Sequence, residues 1–169
     1  RLSGHKFVGQ LELVRNAHRL LLRIPSLEIT VVGGGWRKML FAREALRINT
    51  AAGRRVVRVA GYQTDPAPWI RDATVVCGGS TCGLEAILSN RPIVAVSGYW
   101  FGRITPGNLD EAVKCYYAER DGRFYITDDP GAVAEEILSV YESWGDERVR
   151  EECRALYEAM SPTFSPALA

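Results

Sequence analysis

Short apolar runs alternate with stretches of helical periodicity along almost the whole chain, and this alternation is the feature that most restricts how the chain can fold. The runs are rich in valine and isoleucine, as is typical of strands buried on both faces of a sheet. We predict strands at 28–32, 55–59, 74–77, 93–96 and 124–126, and helices at 8–23, 36–48, around 69–70, through 84–88, at 108–120, from 130 through 144, and at 147–160. Repeated strand–helix units form a parallel sheet with helices on both faces. The sequence therefore predicts one α/β domain, a Rossmann-like parallel sheet covering residues 1–169.

The alternation stops after Val96. Residues 97–107 are rich in glycine and aromatic side chains and show no periodicity, so we predict an irregular loop followed by Asn108 as a helix N-cap. Long irregular loops in compact domains are usually functional. Tyr99, Trp100 and Phe101 are therefore either ligand contacts or ordinary packing residues.

Charge and hydropathy exclude several classes of protein. The 169 residues carry 21 Lys and Arg against 20 Asp and Glu, so the net charge of +1 gives no global field to hold nucleic acid or an acidic membrane. No apolar run approaches the roughly 20 residues that span a bilayer. Because the chain begins at Arg1 rather than at methionine, we interpret it as a fragment or a processed form.

Cysteine and histidine spacing favours neither a metal site nor a disulfide framework. The four cysteines form no Cys-x-x-Cys pair, and His5 and His18 lie far from all of them. We predict reduced, mostly buried thiols, no bound metal and no cofactor, as expected of a cytoplasmic protein.

In an open parallel sheet the ligand binds beyond the carboxyl ends of the strands. Two of the loops expected there, 33–35 and 78–81, are rich in glycine and open a helix, an arrangement that can hold a phosphate on backbone N–H groups. Arg1 and Lys6 would add cations at the same edge. Tight turns also need glycine when no ligand is present. Neither loop completes a dinucleotide fingerprint or a P-loop, and no Gly-x-Ser-x-Gly nucleophile elbow occurs.

Four segments resemble the C-terminal, nucleotide-sugar-binding half of the GT-B fold glycosyltransferases of the retaining group often called group 1. They are RLSGHK at 1–6, LEITVVGGG at 27–35, Gly61-Tyr62 with WIRDATVV at 69–76, and STCGLEAILSNRPIVA at 80–95. The last is the most specific, because it is similar to the Leu-Glu-Ala-Met-Ala-x-Gly-x-Pro-Val-Ile block of that family. The resemblance implies one half of a two-domain enzyme that transfers a sugar from a nucleotide diphosphate to an acceptor.

The resemblance also implies roles for individual residues. Arg1 and Lys6 would neutralise the donor diphosphate, and Glu85 would accept hydrogen bonds from the ribose hydroxyls, as a carboxylate can do in bidentate fashion. Ser80 and Thr81 would offer hydroxyl and backbone donors to phosphate. The full set implied for a UDP- or GDP-linked donor is Arg1, Lys6, Gly34, Tyr62, Gln63, Gly79, Ser80, Thr81 and Glu85. Tyr62 and Gln63 would contact the base, although Tyr62 is equally well interpreted as an ordinary loop aromatic.

One position departs from the family pattern. Many members carry a second glutamate eight residues before the ribose-binding one, near the transferred sugar, and that position here is Cys77. The sugar, the stereochemical course and the catalytic residues therefore stay open. The segment 103–111 is similar to a Thr-Pro-x-Asn insertion of a bacterial branch. The N-terminal half would supply the acceptor site, so we expect this chain alone to bind nucleotide with little transferase activity.

Two alternatives remain beside a glycosyltransferase donor domain. A nucleotide-sugar epimerase half on the same scaffold would need carboxylates and a histidine near the sugar, and neither histidine lies in the 78–81 turn. The second alternative is a non-catalytic nucleotide-binding module. The loss of the carboxylate at Cys77 favours it, whereas the presence of the donor-binding residues Arg1, Lys6 and Glu85 argues against it.

Overall fold

The structure is a computed structural model that describes residues 6–119, 124–125 and 130–164, with only the backbone described at 6, 124, 125 and 130. In chain order the elements are α1 (Lys6–Arg15), α2 (Ala17–Leu21), β1 (Ile29–Val32), α3 (Lys38–Ala52), β2 (Val57–Gly61), α4 (Ala67–Asp72), β3 (Val76–Gly78), α5 (Thr81–Leu88), β4 (Ile93–Val96), β5 (Tyr99–Arg103), a 3-10 turn (Pro106–Asn108), α6 (Leu109–Lys114), β6 (Phe124–Tyr125), α7 (Pro130–Glu142) and α8 (Glu147–Phe164). Among these residues no helix is both long and apolar enough to cross a bilayer. The predicted α/β class is confirmed.

The strands form two sheets. β1 pairs in parallel with β2, and β3 pairs in parallel with β4, so both parallel pairs join strands that a helix connects in the sequence. β4 also pairs with β5, and β5 with β6, in antiparallel fashion. The described strands therefore form small parallel and mixed sheets, and not the one parallel sheet that the alternation predicts.

β4 is the centre of the larger sheet, and all four of its residues are buried. Ile93 and Ala95 belong to an apolar cluster with Leu156 and Met160 of α8, whereas Val94 and Val96 belong to a second cluster that includes residues of α2 and α7. Successive strand residues point to opposite faces of a sheet. Helices therefore cover both faces of this strand, as its uninterrupted apolar sequence predicts.

The smaller sheet has its own core. Val31 of β1 and Val57 of β2 lie in a third cluster with Phe41 of α3 and with Leu11 and Val14 of α1. Asn49 joins α3 to the start of β2, because its Oδ1 accepts hydrogen bonds from the N–H groups of Val56 and Val57 at 2.7 and 2.8 Å.

The prediction of an irregular loop over 97–107 is wrong. Residues 99–103 form β5, because a tight turn at Ser97 and Gly98 folds the chain back on β4 as a hairpin. Trp100 and Phe101 are 4% and 2% exposed and pack in the core, so neither ring is available to stack on a sugar. Their aromatic character reflects burial in an antiparallel strand.

Two predicted helices end earlier than their apolar periodicity indicates. The first divides at Asn16, whose side chain donates a hydrogen bond to the Glu12 carbonyl at 2.9 Å, and α2 ends at Leu21. The helix after Asn108 ends at Lys114 instead of continuing to residue 120. Tyr116, Tyr117 and Ala118 follow with φ of 51°, 52° and 67°, a left-handed conformation that a right-handed helix cannot include.

Candidate functional site

The carboxyl end of β4 is held between two glycines. A Cβ on Gly9 of α1 would lie 1.9 Å from the Ser97 carbonyl oxygen, and a Cβ on Gly79 would lie 3.0 Å from the Ser97 Cβ. Gln10 adds a hydrogen bond from its Nε2 to the Val96 carbonyl at 3.1 Å. The first turn of α1 and the turn that precedes α5 therefore meet at the end of this strand.

The glycine-rich loop after β1 lies against the loop after β2. The Gly33 N–H donates to the Gly61 carbonyl at 2.8 Å, and a Cβ on Gly34 would lie 2.8 Å from the Tyr62 Cβ. Gly34 and Tyr62, two of the predicted donor-binding residues, are thus in direct contact. The Tyr62 side chain itself is 75% exposed.

Arg37 connects this loop to α1. Its guanidinium carbon lies 4.1 Å from the centre of the Phe7 ring and 4.6 Å from that of Trp36, within the range of cation–π attraction. Arg37 occupies the N-cap position of α3, and Phe7 lies in the first turn of α1. The N-termini of two helices, whose dipoles favour anions, therefore lie side by side with a guanidinium between them.

The second glycine-rich segment, Gly78 to Thr81, is covered by the turn at Tyr116 and Tyr117. The Ser80 N–H donates to the carbonyls of these tyrosines at 3.2 and 3.3 Å, and Ser80 has φ 60° and ψ −137°. Because that N–H is already bonded, only the Ser80 hydroxyl fits the predicted role of phosphate donor. The exposed Thr81 is the first residue of α5.

Glu85 lies one turn further along α5 and is exposed. Partial withdrawal of its carboxylate from water raises the pKa of Glu85, and the negative charge of Asp65 raises it further. Asp65 lies in the loop between β2 and α4, where its Oδ1 accepts a hydrogen bond from the Ala67 N–H at 2.9 Å. Two exposed carboxylates, one in the loop after β2 and one on α5, are thus close enough for the charge of one to act on the other.

Gln63 follows Tyr62 in the same loop and is half-buried. Its Nε2 donates to the Ala60 carbonyl at 3.1 Å, so the amide is held against its own strand. Contact of Tyr62 and Gln63 with a base stays a prediction.

Cys77 lies where the resemblance implies a second glutamate. Its side chain packs with the apolar cluster of α2, α7 and β4. Burial raises the pKa of Cys77 to about 12, and burial together with the charge of Glu85 raises the pKa of Cys82 to about 11. Both thiols are therefore neutral at physiological pH, and neither can replace a carboxylate. All four cysteines are free, as predicted.

Some predicted residues lie outside the described part. Arg1 is not described, and of Lys6 only the backbone is, as the first residue of α1. The predicted contact of Arg1 and Lys6 with a diphosphate stays a prediction. Among the residues that are described, no group of three or more His, Cys, Asp or Glu side chains could hold a metal ion.

Sequence reasoning missed four residues that contribute to the site. Arg37 lies two residues after a glycine-rich turn, and Asp65 ends the loop after β2, so the sequence around both positions could have indicated them. No local pattern indicates the carbonyls of Tyr116 and Tyr117, because they reach Ser80 only through the left-handed turn.

Comparison of the chain with protein-family models, with curated proteins and with solved structures gives no match. Its function must therefore be inferred from the geometry described above.

Proposed function

We propose that this chain is the nucleotide-sugar-binding domain of a GT-B fold glycosyltransferase. It would bind a UDP- or GDP-linked sugar at the carboxyl ends of its parallel strands, and a second domain would supply the acceptor. Arg1, Lys6 and the N-termini of α1, α3 and α5 would stabilise the leaving nucleoside diphosphate electrostatically, with no proton relay.

The observation that carries the proposal is the convergence of the loops that follow the strands. Gly34 contacts Tyr62, Asp65 acts on Glu85, and Gly9 and Gly79 meet at Ser97. These contacts link the loops after β1, β2 and β4 with the turn before α5, and the same segments carry the guanidinium of Arg37 and the exposed carboxylate of Glu85. These groups suit a nucleoside diphosphate, because its phosphates require cations or N–H donors and its ribose requires an acceptor.

Two strand pairs support the Rossmann-like form of the proposal. β1 pairs with β2, and β3 with β4, in parallel, and a helix joins the strands of each pair, as in a doubly wound fold.

The proposal is tested by titration calorimetry of the chain with UDP, GDP, ADP and the corresponding sugar nucleotides. We expect saturable binding of one diphosphate. Glu85→Gln should weaken it by about 10–100-fold, since a hydrogen bond to a charged group contributes about 1.5–3 kcal/mol. Combined Arg1→Ala and Lys6→Ala substitutions should weaken it further.

Glu151→Gln is the matched control, because Glu151 is also exposed on a helix but lies on α8, away from the strand ends. It should bind like the unsubstituted chain. Absence of binding by every nucleotide in a folded sample, or an equal loss in both glutamine variants, would contradict the proposal.

A non-catalytic nucleotide-binding module is the second candidate. It is favoured by Cys77, whose buried neutral thiol replaces the carboxylate expected beside the sugar. Joining the chain to an N-terminal half distinguishes the two, because only a transferase domain would then release nucleoside diphosphate in the presence of acceptor.

A further inference from the structure

Helix α3 carries apolar side chains on two opposite faces. Phe41, Ala45 and Ile48 are buried in the core of the smaller sheet. On the other side Met39 is 66% exposed and Leu46 is 69% exposed. A surface helix normally has one apolar face, so a second one indicates that something else covers it.

The outer face also carries arginine. At 3.6 residues per turn, Met39, Arg43, Leu46 and Thr50 lie within about 60° of one another, opposite the buried residues. Leu40, 39% exposed, and Arg47 flank this row on one side. Trp36, 77% exposed, extends it beyond the start of the helix. We call Trp36, Met39, Leu40, Arg43, Leu46 and Arg47 the α3 outer face.

The sequence segment that contains this face is basic. Residues 36–61 contain seven Lys and Arg and one Glu, a net charge of +6, so the other residues together carry −5 of the chain's +1. The single acid, Glu44, accepts a hydrogen bond from Arg47 at 2.8 Å. The near-zero net charge of the whole chain therefore hides one strongly basic region.

We propose that the α3 outer face docks on an anionic lipid bilayer, with α3 lying in the plane of the interface. Met39, Leu40 and Leu46 would enter the boundary between headgroups and acyl chains, and Arg43 and Arg47 would stay at the phosphates. Trp36 would lie at headgroup level, where tryptophan is enriched. This inference does not depend on the proposed function.

The pattern fits a bilayer better than a second copy of the chain. In a symmetric dimer through this face, Arg43 and Arg47 of each copy would approach those of the other, and like charges repel. An anionic bilayer suits both the basic and the apolar side chains of the face. Its phosphates attract each arginine, and each apolar side chain that enters it leaves water.

Cosedimentation with lipid vesicles tests the proposal. The chain should bind vesicles that contain phosphatidylserine, not vesicles of phosphatidylcholine alone, and added salt should weaken the binding. Arg43→Glu with Arg47→Glu should reduce the affinity at least about 25-fold, since each basic residue near the surface contributes about fivefold. Met39→Ser with Leu46→Ser should reduce it about tenfold or more.

Matched controls come from other helices. Arg150→Glu with Arg154→Glu makes the same change in net charge on α8, where Arg150 pairs with Glu147 as Arg47 pairs with Glu44. Val113→Ser with Tyr157→Ser removes exposed apolar side chains from α6 and α8. Both controls should bind like the unsubstituted chain, and all four variants should keep its circular dichroism spectrum.

Failure to bind phosphatidylserine vesicles would overturn the proposal. So would an equal loss of binding in the α8 charge variant, which would indicate general attraction without a docking face. Self-association that Met39→Ser with Leu46→Ser abolishes, without any vesicle binding, would overturn it in favour of a second copy of the chain.

Discussion

Gly83→Ala should destabilise the chain although alanine is the better helix former. Gly83 is buried in α5, where alanine alone would add about 1 kcal/mol of stability. A Cβ at this position, however, would lie 2.7 Å from Cγ, 2.9 Å from Cβ and 3.0 Å from Cδ1 of Tyr117. Carbon atoms pack at about 3.5–4.0 Å, so the tyrosine ring would have to withdraw by roughly 0.5–1 Å.

The tyrosine has little room to withdraw. Tyr117 is 3% exposed, lies in the left-handed stretch, and its carbonyl accepts the Ser80 N–H. Overpacking of this kind costs about 1–3 kcal/mol, so the free energy of unfolding should fall by up to about 2 kcal/mol once the helix gain is subtracted. For a chain of this size that lowers the Tm by up to about 8 °C.

Thermal unfolding followed by circular dichroism and calorimetry measures the effect. The same substitution in a Tyr117→Ala background is the control, because the obstructing ring is then gone and the alanine should be neutral or stabilising. A higher Tm for Gly83→Ala in the otherwise unsubstituted chain would refute the argument that the turn at Tyr117 presses on the start of α5.

Three further outcomes follow from the geometry. Gly102 has φ 99°, and a Cβ there would lie 2.8 Å from Glu136 Oε2, so Gly102→Ala should cost about 1–3 kcal/mol in urea unfolding while Gly107→Ala is nearly neutral. At pH 8, iodoacetamide should modify Cys77 and Cys82 at least about 100-fold more slowly in the folded chain than in urea. The reason is that pKa values of about 12 and 11 leave little of either thiol as thiolate. Equal modification rates in the two conditions, measured by peptide mass mapping, would contradict their burial. The pKa of Glu85 is raised in the folded chain, so its ionised carboxylate lowers the stability of the fold at neutral pH. Glu85→Gln should therefore raise the Tm at pH 7, and this gain should disappear as the pH falls below 4.5, the ordinary pKa of a glutamate, where the carboxyl is protonated in both states. A Tm difference that does not change with pH would contradict the shift.

The sequence predicted the elements whose residues are decided by local pattern. The apolar run of β4 and the helix through Leu84 lie where periodicity places them, because burial on both faces and helical spacing act on consecutive residues. β5 was missed because its sequence, YWFGR, has neither the valine and isoleucine of the other apolar runs nor the alternation of a half-buried strand, and it includes a glycine. Its pairing depends on the turn at Ser97 and Gly98, a contact with β4 that no local pattern encodes.

The same distinction between local pattern and long-range contact applies to the candidate site. The sequence identified Gly34 and Tyr62 as residues of neighbouring loops, and the structure brings them into contact. It could not show that the Ser80 N–H is already bonded, because the tyrosine carbonyls that accept it come from a turn more than 30 residues later. The net charge of the chain did not reveal its basic segment for a related reason, because one sum over all residues adds the +6 of residues 36–61 to the −5 of the others.

The two glycines on either side of Ser97 have a mechanical consequence. A contact without intervening side chains has no soft rotamer that could absorb a displacement, so movement of the backbone on one side is passed to the other. A ligand that shifts the turn at Gly79 would push Ser97 against Gly9 and thereby move α1 as a rigid rod. On the proposed function, a donor bound at the start of α5 would thus act on the start of α1 through a single residue.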